Sequence, residues 1–357
     1  MLKTERVYWI FVLLSIALAL LMSAGYVVKN DSVGGTDFYY HLRFAEQYAQ
    51  GKLALFDPVL MQNNGGPYPP LFHLLLAFFI KINALDFFAK LLQALLFPIA
   101  LASTVFLAFK LKGIRAAALC AVLLLGSTAF FDRGGQVTPQ AVDIVLAPIA
   151  AWAFFEGMGL LFVISIAIMA YSHAPYSFLI LVAFAVFAFA FNYRKKLVSH
   201  SLLSVAPLVL LFLPFVPQMV SMASGVNTLQ EEVIRSDPLF FFFYFGIPAV
   251  LMFVVSLVLF AKFDLNAAKT KLLSLNPPST SAFKIFLLLW LAALAPLLYF
   301  YPDRFASYAI QPASVFAGVV LGEKLDRHNA LFLALVAIAF ALAFYLNVLQ
   351  FYNLYLA

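Results

Sequence analysis

Apolar residues run along this chain in long blocks rather than in amphipathic stripes, and the polar residues collect in the short gaps between blocks. A helix needs about 20 mostly apolar residues to cross a hydrocarbon core. On that basis 7–28, 87–109, 114–131, 139–156, 158–171, 174–192, 200–220, 239–261, 285–301, 305–322 and 329–352 are read as transmembrane helices, about eleven spans, of which 158–171 is short. The apolar stretch 70–82 is too short to cross, and is read as a helix dipping into the membrane from a long first loop, 29–86. Lys3 and Arg6 precede the first block as they would in a signal peptide. Its length and the many blocks after it make it a retained span instead. The pattern predicts an all-α polytopic bundle forming a single transmembrane domain over 1–357, with no soluble C-terminal domain.

Charge gives the bundle a direction. Lysine and arginine accumulate in cytoplasmic loops of membrane proteins. With the N-terminus inside and the C-terminus outside, 14 of the 22 basic residues fall in cytoplasmic segments, clustered at Lys3–Arg6, Lys110–Arg115, Arg194–Lys196, Lys262–Lys284 and Lys324–Arg327. Of the 16 acids, 11 fall outside or at outer helix ends. Counting 70–82 as a full span would move the Lys110–Arg115 cluster outside and spoil this agreement.

Composition supports the membrane reading and excludes others. The chain is 65% apolar and 11% charged, with a mean hydropathy of +0.99. A soluble domain carries about a quarter charged residues, so lipid is the expected solvent. The net charge of +6 resides in loops between spans and does not indicate nucleic-acid binding. The single cysteine, Cys120, lies in an apolar run, which leaves neither a disulfide framework nor a thiolate metal site.

Candidate chemistry lies on the outer face. In Gly34-Gly-Thr-Asp-Phe-Tyr-Tyr-His-Leu-Arg43, Asp37 and His41 are spaced i,i+4 and share a helix face. Two readings stand: Asp37 caps a helix beside a surface His41, or the pair meets a divalent cation with the carboxylate able to act as base. Asp143 lies one turn into an apolar span, where an unpaired charge is costly and a functional role is the default expectation. Glu231 stands in a short loop after Asn227-Thr-Leu-Gln, and Arg304 in Tyr301-Pro-Asp-Arg-Phe-Ala-Ser-Tyr308. An outer arginine either anchors its helix by snorkelling or pairs bidentately with phosphate. Arg304 opposes the positive-inside trend, which favours phosphate. His173, in Ser172-His-Ala-Pro175, ranks behind these, since a lone histidine at a helix junction is more often a satisfied hydrogen-bonding residue.

Together these segments resemble the GT-C glycosyltransferases. Thr36–Arg43, Phe56-Asp-Pro and Tyr68-Pro-Pro-Leu-Phe-His73 look like the first external loop of archaeal relatives of the oligosaccharyltransferase catalytic subunit. Thr228–Glu231 resembles that family's Thr-Ile-x-Glu motif, Arg304–Tyr308 its Arg-Phe-x-x-Tyr segment, and His173-Ala-Pro its His-Pro turn. The resemblance implies a GT-C-type bundle in the cell membrane, with its active face external. It implies transfer of sugar from a polyprenyl-phosphate or pyrophosphate donor to an acceptor. Asp37, Glu231 and Arg304 would be catalytic; Arg304, with His173 and Tyr308, would hold the lipid phosphate. A divalent cation (Mg2+ or Mn2+) would rest on Asp37, Asp143, Glu231 and His41. The pattern departs between spans three and four, where the family carries two acidic or acidic-and-His ligands one residue apart. This chain has Asp132, Arg133 and Thr138-Pro-Gln140, with Asp143 further on. No tryptophan follows Trp290, so the family's Trp-Trp-Asp acceptor-reading motif is not expected here, and a partner subunit is one source of acceptor recognition. A non-catalytic relative that handles lipid-linked glycans is the alternative. A transporter is a third class, disfavoured by the lack of internal repeats and midplane charges.

Overall fold

The computed structural model describes residues 2–30, 33, 36–52, 68–215, 238–263 and 280–349. Among these the regular elements are helical: α1 (Leu2–Lys29), α2 (Thr36–Ala49), α3 (Leu71–Lys81), α4 (Leu85–Leu125), α5 (Thr128–Gly134), α6 (Pro139–Glu156), α7 (Gly159–Ser172), α8 (Ala174–Ala190), α9 (Lys195–Phe212), α10 (Pro238–Phe245), α11 (Ile247–Phe263), α12 (Thr280–Phe300), α13 (Pro302–Lys324) and α14 (Asn329–Ala343), the last running into a π-helical turn, Phe344–Leu349. Every apolar block predicted to span is represented by a helix. Among the described residues six helices are long and apolar enough to cross a membrane, or up to seven when the bent pair α5–α6 counts as one, while α3, α7, α8 and α11 are shorter apolar helices.

Two predicted blocks, 87–109 and 114–131, form one continuous element, α4, broken at Lys112 and Gly113. Gly113 has φ +75°, a conformation that side-chain-bearing residues resist, so the basic Lys110–Arg115 stretch is where the helix kinks. The second block then stops at Gly126 rather than continuing to 131. Ser127 caps α5, its Oγ accepting from the Phe130 N–H at 3.3 Å. α5 meets α6 at 111°, through a turn that ends with Pro139 at the first position of α6, where its missing N–H is harmless.

The core is built around α4 and α13. The apolar window of α13 is wholly buried, flanked by α4, α12 and α11, whereas α1, α9 and α14 leave about three-quarters of theirs unburied. In a water-soluble protein that exposed leucine and phenylalanine would be a liability; here it is the lipid-facing surface. A second, smaller core joins α2 and α3 to α4 and α6 through Phe38, Ala45, Phe72, Leu76, Ala89, Leu96, Val137 and Ala141. α3 buries Phe72, His73, Leu76 and Ala77 and leaves Leu71, Leu74, Leu75 and Phe78 exposed, as befits a helix lying at an interface.

Charged contacts separate into two ends. At one, Arg115 pairs with Asp326, and Lys284, only 1% exposed, pairs with Glu323 at 2.9 Å. Arg194 donates there to the Phe155 carbonyl at 2.9 Å. The other end holds α2, α3, α5, and the starts of α6, α8 and α13, and there the remaining chemistry collects.

Candidate functional site

Four helix starts and one loop converge at this end. Asp37, in the first turn of α2, reaches Arg133 on α5 with a 2.8 Å contact between Oδ2 and Nη1. The arginine side chain is 11% exposed and the aspartate 45%, so the pair lies at a mouth rather than inside the core. Asp132 receives Gln136 Nε2 at 2.8 Å and the Tyr244 hydroxyl at 3.0 Å, with Arg133 Nε 3.8 Å away. α5 thus presents an acid and an arginine side by side, the acid fastened by α10 and the arginine turned to α2.

Deeper in, Asp143 is fully buried and lies 3.0 Å from His173 Nδ1. The Tyr308 hydroxyl approaches the same nitrogen at 3.2 Å. Tyr176 stacks on Tyr308 with ring centroids 3.8 Å apart. Pro175 sits in the first turn of α8, where its missing N–H is harmless, and His173, extended at φ −150°, links α7 to α8. Asp143 Oδ1, unlike Oδ2, has no donor among the described residues. An oxygen buried in that way is costly unless something else meets it.

Tyr68 sits between the two groups. Burial pushes its phenol well above the usual range, assisted by Tyr40 and by the carboxylates of Asp143 and Asp37, and opposed by the Arg304 guanidinium. Asp37, Asp143 and Arg304 are therefore all within electrostatic reach of one hydroxyl. Arg304 and Arg133 also both act on His173. On the other side of Tyr68, His41 Nδ1 and His73 Nε2 are 2.9 Å apart, and Phe44 stacks on His73 with centroids at 4.6 Å. Burial, followed by His73 and His173, holds His41 well below the usual histidine range, so the pair is a neutral wedge packing α2 on α3.

The predicted residues divide accordingly. Asp37, Asp143, His173, Arg304 and Tyr308 come together around Tyr68; His41 also packs on Tyr68, with ring centroids 4.9 Å apart, but its hydrogen bond goes to His73 rather than to Asp37. Glu231 with its Thr228 motif, and Phe56-Asp-Pro, lie outside the described residues. Arg133, Tyr68, His73 and Tyr176 join the site without having been singled out individually. Arg133 carried the signal that marked Arg304, a positive charge on the side where the tally expects few.

A divalent cation of the Mg2+ kind takes about six oxygens, typically one or two carboxylates with substrate phosphates and waters making up the rest. Among the described residues no three histidine, cysteine, aspartate or glutamate side chains converge to hold a metal ion. Asp37 is occupied by Arg133, Asp132 by Tyr244 and Gln136, and Asp143 by His173. The described donors form no preassembled site for such an ion, although Asp143 Oδ1 is left open among them.

The sequence matches no protein-family profile and no curated protein. Solved structures do match. The chain aligns with the oligosaccharyltransferase AglB from Archaeoglobus fulgidus, in complex with an inhibitory peptide and a dolichol-phosphate, at TM-score 0.62 and 14% identity, covering 96% of this chain and 56% of that one. The apo form of the A. fulgidus enzyme gives TM-score 0.62 at 15% identity. ArnT from Cupriavidus metallidurans, bound to undecaprenyl phosphate, aligns at TM-score 0.51 and 17% identity over 92% of this chain and 63% of that one. The chain spans just over half the length of the oligosaccharyltransferase. At these identities the shared property is the fold: this is a membrane protein whose helical architecture is similar to that of AglB and ArnT.

Proposed function

We propose that this chain is a GT-C-type glycosyltransferase. It takes sugar from a polyprenyl-phosphate or pyrophosphate donor and passes it to an acceptor on the external face of the membrane. The observation that carries this reading is the convergence of Asp37, Arg133, Asp143, His173, Tyr308 and Arg304 around Tyr68 at one end of the bundle. The solved structures of like fold include one with dolichol-phosphate and one with undecaprenyl phosphate, which supports a lipid-phosphate ligand. The positive-inside tally supports the external face, because the Arg115–Asp326 and Lys284–Glu323 end coincides with the predicted cytoplasmic clusters.

In this reading an acceptor O–H or N–H attacks the anomeric carbon, and the bond from that carbon to the phosphate oxygen breaks. The acceptor proton passes to Asp37. The charge left on the polyprenyl phosphate is met by Arg304, for which a planar guanidinium at the interface is well suited. The test is release of polyprenyl phosphate from a panel of polyprenyl-phosphate sugars by protein reconstituted in liposomes. Asp37→Asn is expected to slow release by roughly 100-fold or more. Release at the wild-type rate by that variant overturns the assignment of the base.

A non-catalytic lipid-glycan-binding relative is the second reading, favoured by the engagement of Asp37 with Arg133. It predicts lipid binding without sugar release.

A further inference from the structure

Resting on the lipid-phosphate reading above, we infer that Arg133 is a second cationic arm of the phosphate site. With Arg304 it neutralises the donor phosphate, in the place where a divalent ion bridged by carboxylates would otherwise stand. Four observations lead there. Arg133 comes from the segment between α4 and α6, where it sets a fixed positive charge beside Asp132. It is held at the mouth by Asp37, one of the acids on which such an ion would rest. α5, which carries Arg133, packs against α13, where Arg304 stands one turn before Tyr308, whose hydroxyl is 3.2 Å from His173 Nδ1; an anion beside that imidazole is therefore in the neighbourhood of both guanidinium groups. Among the described residues, no set of three donors competes for a cation in that space.

Asp37 then has two positions in the cycle. Without ligand its carboxylate neutralises Arg133; a phosphate, with more charge and more acceptor oxygens, is the stronger partner for a guanidinium. The half-exposed aspartate is the member of the pair that can leave, and its displacement delivers an unpaired carboxylate beside the bound donor. Donor binding thereby precedes and permits proton acceptance from the acceptor.

The measurement is equilibrium binding of a polyprenyl monophosphate to the purified full chain in detergent, once in EDTA and once in excess Mg2+ or Mn2+, with inorganic phosphate as a competitor. Wild-type binding is expected to agree within about twofold in the two conditions. Arg133→Gln is expected to weaken it roughly tenfold or more. Asp37→Asn, which removes the competing anion, is expected to bind as tightly as wild type or tighter. Arg133→Lys, retaining charge but not the fork, should fall between. Size-exclusion profiles and melting temperatures identify any variant that has lost its fold, and Asp37→Asn reports on the same pair from the opposite side. Competition by millimolar inorganic phosphate assigns the site to the phosphate group; its absence assigns the recognition to the chain and overturns the clamp. Binding lost in EDTA and restored by metal, weakened by Asp37→Asn, or indifferent to Arg133→Gln also overturns the inference while leaving the lipid-phosphate reading intact. Failure of the wild-type protein to bind the lipid in either condition overturns that reading itself.

Discussion

Asp143 is the residue on which the inner half of the site turns. It is completely buried, it faces His173 at 3.0 Å, and its second oxygen has no donor among the described residues. Removing one member of such a pair strands the other, and an unsatisfied buried polar group costs about 1–3 kcal/mol. Asp143→Ala is therefore expected to lower stability by that amount in a detergent melt, and Asp143→Asn, which keeps an acceptor for His173, by clearly less. Equal losses would show that the contact with His173 contributes nothing. His41 makes a different, pH-dependent contribution. Burial keeps it neutral in the folded protein, whereas the unfolded chain takes up a proton below about pH 6.5. The unfolded state then binds more protons, so this contribution is full above pH 6.5 and is lost as the pH falls below it. The drop in melting temperature between pH 7.5 and pH 5 should shrink in His41→Asn; an unchanged drop would assign the acid sensitivity elsewhere.

Between helices, small residues and one buried amide set the packing. Gly318 and Gly322 on α13 face Ala116 on α4, and a Cβ on Gly318 would stand 2.5 Å from the Ala116 carbonyl oxygen, against 3.6 Å to the nearest atom from Gly322. Close backbone approach of this kind is how helices associate in lipid, where burial of apolar surface gives little drive. Gly318→Leu is expected to push α13 off α4 and sharply reduce the yield of monodisperse protein, whereas Gly322→Ala should be tolerated. Gln311, also on α13, donates from Nε2 to Thr104 Oγ1 at 2.8 Å and to the Ile144 carbonyl at 2.7 Å. The second bond has a covalent cause: Pro148, four residues after Ile144 in α6, has no N–H to give it. Gln311→Leu should cost about 1–3 kcal/mol, and Pro148→Ala should restore part of that loss. An additive double-mutant cycle would mean that the proline and the glutamine do not share this carbonyl.

Across the whole molecule the charges are sorted by end, and sidedness can be read directly. Cys120 is buried, so single cysteines introduced elsewhere can be labelled without removing it. A cysteine at Gln50, beyond α2, is expected to react with a membrane-impermeant maleimide in intact cells, and one at Lys195, at the start of α9, only after permeabilisation. The reverse pattern would place the Asp37–Arg133 end inside and remove the external-face proposal. Conversely, the agreement of α2, α3, α5 and the helix starts around Tyr68 is indifferent to orientation, because it rests on contacts within the bundle.

The sequence by itself determined the helices and the membrane as their solvent, because apolar length and charge bias are local properties that need no partner to be read. It also marked Asp37, Asp143, His173, Arg304 and Tyr308, each through a short motif or a charge in an unfavourable place. What each of these touches was decided only by the tertiary structure. Asp37 and Arg133 are 96 residues apart, and His41 and His73 are 32 apart. The i,i+4 spacing that joined Asp37 to His41 on one helix face did not make them partners, because α3 and α5 offered each a better one. A carboxylate beside a guanidinium is an ion pair, and beside a cation it is a ligand. The sequence holds both outcomes, and the 111° bend that turns α5 toward α2 selects the first.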